Sequence, residues 1–107
     1  MDISLDGWDI GRFDDVDWAP WGSGGDARAK TLAHGEGFYL SIVEAEPGYR
    51  ADPHEHSHTE FLYVVDGSLR TQGQEMAKGD AYVAAAGSTH ADFGSDSGAT
   101  YLSIIKL

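Results

Sequence analysis

The apolar residues of this chain recur in short runs and not at helical spacing. No segment repeats an apolar residue with the period of an α-helix, and turns that contain glycine separate the runs at regular intervals. Short runs of β-branched and aromatic residues between such turns are typical of antiparallel strands. The pattern therefore predicts an all-β domain, either a small antiparallel β-barrel or a sandwich.

The predicted strands follow one another closely along the chain. They are residues 27–34, 38–46, 51–56, 60–65, 69–71, 75–76, 81–84, 90–93 and 100–107. Between two of them, Asp66-Gly67 is predicted to be a tight turn, because these residue types favour the backbone angles of hairpin loops. We expect residues 1–25 to form an N-terminal arm and residues 26–107 to form a single β-barrel domain.

Length and charge limit the classes of partner. A chain of 107 residues is one domain with one modest core. Its 18 acidic and 7 basic residues give a formal charge of −11. This balance argues against a nucleic-acid partner and against binding to an anionic membrane surface, because both need a basic patch.

The sequence also lacks several other features. It has no cysteine, so we expect no disulfide, thiolate metal site or thiol nucleophile. We see no Gly-x-Ser-x-Gly motif, no secretory signal and no apolar run long enough for a membrane helix. These absences make a soluble cytoplasmic protein the expectation.

The predicted arm is rich in tryptophan and ends in a glycine run. Trp8, Trp18 and Trp21 lie in an otherwise acidic stretch, and Gly22-Ser23-Gly24-Gly25 follows them. We expect the tryptophans to anchor the arm on the barrel or on a second subunit, in preference to contacting a substrate. The glycine run is expected to be a flexible joint.

A histidine cluster is the strongest chemical signal. His54, His56 and His58 fall within five positions, and Glu60 follows. Imidazole and carboxylate are common ligands of divalent metals. Alternate residues of a strand share a face, so His54 and His56 are expected to bind one ion together. The alternative is a solvated histidine-rich loop, which the adjoining strand-like run at 61–65 argues against.

Simple alternation would also make His58 a ligand, but distance argues otherwise. In a straight strand His54 and Glu60 would lie roughly 20 Å apart, because each residue adds about 3.3 Å. Ligand atoms must lie about 2 Å from the ion. If Glu60 binds the same ion, the chain must turn at residues 57–59, and His58 is then expected to lie at this bend, near the site but outside the ligand set.

Two motifs resemble those of the cupin family. The first is Gly48, five residues, His54-Glu55-His56, three residues, Glu60, six residues and Gly67. The second is Gly79, five residues, Ala85-Ala86-Gly87-Ser88-Thr89-His90, three residues and Gly94. Ala85 and Gly94 replace the usual proline and asparagine, at positions that shape the loop and do not bind metal.

The resemblance implies a small antiparallel β-barrel of jelly-roll type that holds one divalent metal ion. It implies that His54, His56, Glu60 and His90 are the ligands. Metals of the family include iron, manganese, zinc, nickel and copper. Its members include dioxygenases, isomerases, epimerases, lyases and proteins without catalytic activity.

A narrower likeness involves Trp21, Ala29-Lys30-Thr31-Leu32, Gly87-Ser88-Thr89-His90 and Ser97-Gly98. These residues are similar to a group that includes the zinc-binding cupin domain of certain anti-sigma factors and a diketone-cleaving dioxygenase. The helical sigma-binding region of such anti-sigma factors is absent from this sequence, which counts against that role.

Three functions are compatible with the sequence. The first is a non-haem iron- or manganese-dependent dioxygenase acting on a small organic molecule. The second is a regulatory module that binds a metal or ligand without turnover, and the third is an isomerase or lyase that uses its metal as a Lewis acid. Residues considered for supporting the site are Tyr49, Arg50, Tyr82 and Asp92, although Tyr82 also suits the core, and Arg50 and Asp92 suit the surface.

Alternation around Glu60 predicts an exposed apolar face. If Glu60 faces the barrel interior, Phe61, Tyr63 and Val65 point outward. Three neighbouring apolar groups are too many for the bare surface of a small monomer. Either the arm or a second subunit is expected to cover them, and the resemblance favours a homodimer.

Overall fold

The computed structural model describes residues 2–5 and 7–106, which are almost entirely β-structure. The strands are β1 (Asp2–Leu5), β2 (Trp8–Ile10), β3 (Ala19–Pro20), β4 (Ala27–Gly35), β5 (Phe38–Ala45), β6 (Tyr49–Arg50), β7 (His54–Glu55), β8 (Glu60–Thr71), β9 (Gln74–Ala77), β10 (Ala81–Ala84), β11 (Thr89–His90), β12 (Gly94–Ser95) and β13 (Ala99–Lys106). Within the described ranges a 3₁₀ turn at Phe13–Asp15 is the only helical element, and no helix there has the length and apolarity to span a bilayer.

The strand β8 is the centre of the sheet. It pairs with β13 over most of its length, and with β9, β10 and β12 as well. The full path runs β3-β4-β5-β13-β8-β12-β6, and its neighbouring strands are antiparallel. The sheet curls around one core, which confirms the predicted all-β antiparallel barrel of jelly-roll type.

The core lies on the inner side of this sheet. Along β8, Leu62 and Val64 are buried together with Glu60, whereas Phe61 and Tyr63 are exposed. The predicted alternation of this strand is therefore confirmed. The buried apolar residues are Ala27, Ala29, Val43, Ala45, Tyr49, Leu62, Val64, Leu69, Met76, Phe93, Ala99 and Tyr101.

The predicted turn at Asp66-Gly67 is wrong. Strand β8 continues through these residues, and the chain reverses only at Gln72-Gly73. The pairing of β8 with β13 shifts by one residue at this point, which is a β-bulge. Gly67 has φ +75°, and its α-carbon lies directly against the backbone of Gly98. The glycine therefore permits a bend and a close approach within one strand, and it does not close a hairpin.

Two other predicted strands are shorter than expected. Of residues 51–56 only His54–Glu55 pairs as a strand of its own, because Pro53 has no N–H to donate to a ladder. Residues 90–93 do not form one strand, because Asp92 takes a left-handed backbone conformation with φ +51°. The break at Asp92 separates β11 from β12 and sends them to different neighbours.

We expect Gly67→Ala to destabilise the fold by more than about 2 kcal/mol. An alanine there adds a disfavoured backbone conformation, which costs about 1–3 kcal/mol, and its β-carbon collides with the Gly98 carbonyl oxygen. Gly73→Ala is the matched control, because Gly73 has a similar φ of +73° and open space around it. Urea unfolding should give clearly different losses for the two variants, and equal losses would contradict the role of the close approach.

The N-terminal arm packs against the outer side of β4. Trp18 lies under the Arg28 guanidinium, 4.1 Å from ring centroid to Cζ, and meets Phe13 edge to face. The Lys30 Nζ donates to the Phe13 carbonyl oxygen at 2.7 Å and lies over the Phe13 ring. These contacts bury Lys30 and fix the arm on the sheet, as expected for Trp18.

Candidate metal site

Two separate segments bring three histidines together. His54 on β7 lies opposite His90 on β11 in a short antiparallel ladder. His56 follows β7, and its backbone N–H donates to the Ser88 carbonyl oxygen at 2.8 Å. One ring nitrogen from each of the three histidines lies within 4.8 Å of the others. The three are therefore positioned to bind one metal ion.

Hydrogen bonds select which ring nitrogens are available. The Nδ1 of His54 lies 2.9 Å from the Asp52 carbonyl oxygen, which can only accept, so this nitrogen carries the proton and Nε2 is the free ligand atom. The Nε2 of His56 lies 2.9 Å from the Nδ1 of His90. Two ligands about 2.1 Å from an ion lie about 3 Å apart when they meet at a right angle, so this pair fits a shared ion.

His90 is buried and uncharged at neutral pH. Burial, and then the proximity of His56 and His54, lowers its pKa to about 4. A neutral imidazole keeps the lone pair that a metal requires. The three residues thus fit a divalent metal in spacing, and His90 also fits it in protonation state.

Glu60 lies beside the three histidines. Its Oε1 is 3.7 Å from the His56 Nε2 and 4.0 Å from the His90 Nδ1. The same oxygen accepts a hydrogen bond of 2.7 Å from the Tyr82 hydroxyl, and its Oε2 accepts one of 3.4 Å from the Ser103 hydroxyl. Glu60 is therefore within reach of an ion bound to His56 and His90, and its place as fourth ligand stays a prediction.

Tyr82 connects the carboxylate to the histidines. Its hydroxyl lies 3.4 Å from the His90 Nε2, on the side of that ring away from His56. Burial, and then the charge of Glu60, raises the Tyr82 pKa well above its usual value, so the phenol stays protonated and donates to Glu60. The expectation of a core residue was thus incomplete, because Tyr82 packs against the core and also contacts the site.

The other residues considered for the site lie elsewhere. Tyr49 is buried in the core and packs edge to face against Phe93. Arg50 pairs with Asp96, and Asp92 pairs with Arg70, all at the surface or close to it. His58 is exposed at the bend after His56 and is not part of the group of three.

A cavity of about 510 Å³ opens beside the histidines. It is lined by Trp21, His54, Glu55, His56, Ser57, His58, Glu60, Ile105 and Lys106. The presence of Trp21 differs from the expectation, because the sequence favoured an anchoring role for the tryptophans of the arm over contact with a substrate. The position of Trp21 next to the glycine run is a sequence feature that sets it apart from the other tryptophans. Sequence alone does not show which surface the arm covers.

The architecture is that of a known family. The family model described as the ChrR cupin-like domain matches residues 8–105. This chain belongs to that family. The predicted cupin resemblance is confirmed, and the three histidines of the site are positioned to bind a metal ion within a cupin fold.

Three solved structures illustrate the fold that this cupin shares. KdgF from Halomonas sp. is 21% identical, with a TM-score of 0.78 over 92% of this chain and 93% of that one. A candidate acetylacetone dioxygenase from Methylibium petroleiphilum is 18% identical, with a TM-score of 0.81 over 99% and 81%. The complex of Rhodobacter sphaeroides SigE with the anti-sigma ChrR contains a chain that is 23% identical, with a TM-score of 0.71 over 89% and 52%. The search of curated proteins gives no match.

Proposed function

We propose that this cupin is a non-haem metal-dependent oxygenase that acts on a small organic molecule. The observation that carries the proposal is the group of three histidines, of which His54 and His56 line a cavity of about 510 Å³. A redox metal there supplies reactivity toward dioxygen and polarises a carbonyl group of the substrate. The Nε2 of His54, the Nε2 of His56 and the Nδ1 of His90 would hold the metal, with Glu60 as the fourth ligand.

The cavity suits a small substrate better than a polymer. Trp21 and Ile105 give it apolar walls, and His54 and His56 give it a polar end. Sites of this kind, mainly apolar with a few convergent polar groups, are typical of small-molecule binding. The likeness in fold to a candidate acetylacetone dioxygenase supports diketones as the first compounds to examine.

The proposal is tested by metal analysis and oxygen uptake. Protein made without added metal is analysed for its metal content, and oxygen consumption is then measured against a panel of diketones and phenols. Iron or manganese with uptake that is lost in His56→Ala supports an oxygenase. Zinc without uptake contradicts it, and conversion of a substrate without oxygen would indicate a Lewis-acid isomerase or lyase.

A regulatory role is the second candidate. The family model is that of the cupin-like domain of ChrR, and a related fold occurs in a complex of SigE with the anti-sigma ChrR. In this role the cupin would bind a metal or ligand without turnover and pass the signal to a protein partner. Bound zinc together with the absence of any oxygen uptake would favour it.

Tyr82→Phe is expected to weaken metal binding by about 10–100-fold, as loss of a hydrogen bond to a metal ligand typically does. The variant keeps the ring but removes the donor to Glu60 and the partner of His90. Competition with a chelator of known affinity measures the change. Tyr63→Phe is the matched control, because Tyr63 lies on the exposed face of the neighbouring strand. An unchanged affinity in Tyr82→Phe would contradict the role given to its hydroxyl.

We propose in addition that the protein is a homodimer formed through the outer face of β8. Phe61 is 53% exposed, and its neighbours across the sheet, Val83 and Ile104, are 60% and 39% exposed. Tyr63 on the same face is 46% exposed. The described contacts of Phe13 and Trp18 lie on β4, so the part of the arm that the structure describes leaves this patch open.

Phe61→Lys is expected to give a monomer where the wild type gives a dimer. A charge at the centre of an apolar interface is costly to bury, whereas at an exposed site it changes monomer stability by less than about 0.5 kcal/mol. Light scattering at micromolar concentration measures the mass of both proteins. A monomeric wild type would contradict the proposed dimer. A Phe61→Lys variant that remains dimeric would show that the interface is not the outer face of β8.

A further inference from the structure

We propose that Trp21 sets the size of the ligand that reaches the metal site, an inference that rests on the proposed function. Trp21 follows β3, and its backbone N–H donates to the Ala27 carbonyl oxygen at 3.0 Å. The residue is partly buried and packs against the core. It is thus held at a fixed place on the barrel although it belongs to the N-terminal arm.

Trp21 lies between two cavities that both reach His54. The first, of about 510 Å³, contains His54 and His56. The second, of about 380 Å³, lies toward Arg50 and Asp52. Among the described residues, only Trp21 and His54 line both cavities. Trp21 therefore forms the wall that keeps the two spaces apart next to His54.

The surroundings of Trp21 keep this wall in position. The Trp21 side chain packs against the hydrophobic core, which includes the buried residues Tyr49 and Tyr101. After it the chain turns away through Gly22, whose φ of +75° suits glycine. A large, rigid side chain packed in this way excludes volume that a flexible residue would leave open.

The first cavity indicates the class of ligand. Trp21 and Ile105 provide apolar surface, and the histidines provide the polar end. Indole presents a flat face, which packs well against planar groups. The chamber thus favours a compact, planar molecule with an oxygen or nitrogen donor directed at the histidines. A longer molecule that extends from His54 toward Arg50 has to pass Trp21, which restricts this direction.

The test uses the full chain loaded with cobalt(II) and two nitrogen-donor probes of different size. Imidazole is compact, and 4-phenylimidazole carries an additional ring. Visible absorption of the cobalt gives the dissociation constant of each. In Trp21→Ala we expect little change for imidazole and at least about tenfold tighter binding of 4-phenylimidazole, because enlarging an apolar pocket by even one methylene is worth this much in selectivity. The affinity of Trp21→Phe for 4-phenylimidazole should lie between those of the wild type and Trp21→Ala. This variant replaces Trp21→Ala in the test if the alanine variant does not fold.

Trp18→Ala is the matched control. Trp18 lies on the same arm and packs on Arg28 but lines neither cavity. An unchanged ratio of the two constants in both Trp21 variants would overturn this inference alone. If Trp18→Ala changes the ratio of the two dissociation constants as much as Trp21→Ala does, the effect comes from docking of the arm. That result would also overturn the inference. Failure of the wild type to bind cobalt would overturn the proposed function and this inference with it.

Discussion

Alanine in place of His56 or His90 is expected to remove most of the bound metal, whereas His58→Ala is expected to keep full occupancy. His56 and His90 contribute two of the three ring nitrogens that lie within 4.8 Å of one another. Changing a residue that only supports a metal ligand already costs about 10–100-fold in affinity, so losing a ligand should cost more than 100-fold. Metal content after dialysis against a buffered low concentration of free metal measures the effect.

His58 is a stringent control because it shares the residue type and the neighbourhood of the ligands. It lines the same cavity as His54 and His56 but is exposed at the bend. Circular dichroism of each variant shows whether the fold is retained. Equal metal loss from His58→Ala, in a protein that still folds, would show that the proposed ligand set is wrong.

The sequence predicted the strands best where local pattern and burial agree. The alternation of Leu62 and Val64 with Phe61 and Tyr63 is sufficient to assign the two faces of β8. The spacing of His54 and His56, together with the strand length that excludes a straight path to Glu60, placed the bend near His58. These are properties of a few adjacent residues, which a sequence displays directly.

Features that depend on distant contacts were missed or misjudged. Asp66-Gly67 resembles a hairpin turn, and only the approach of Gly98 shows why a glycine is needed within a strand that continues. Tyr82 resembles an ordinary core residue until β10 pairs with β8 and brings its hydroxyl to Glu60. Trp21 is separated from His54 by more than thirty positions, so its place in the cavity depends on how the arm docks.

Removing the metal is expected to lower the melting temperature by about 10–20 °C. A ligand that binds only the folded state at a hundredfold excess over its dissociation constant stabilises by about 2.7 kcal/mol. For a domain of this size each kcal/mol shifts the melting temperature by about 4–8 °C. Scanning calorimetry before and after chelation, with metal analysis of both samples, measures the shift.

The physical basis of this coupling is the charge of Glu60. The residue is only 7% exposed, and within the described part of the chain the hydroxyls of Tyr82 and Ser103 donate hydrogen bonds to it. A buried carboxylate without a counter-charge is costly, and a divalent ion beside His56 and His90 supplies that charge.

Glu60→Gln removes the charge and keeps an oxygen for Tyr82, so its metal-free form is expected to melt at or above the metal-free wild type. An unchanged melting temperature in wild-type protein shown to have lost its metal would contradict the coupling. A metal-free Glu60→Gln protein that melts well below the metal-free wild type would contradict the role of Glu60.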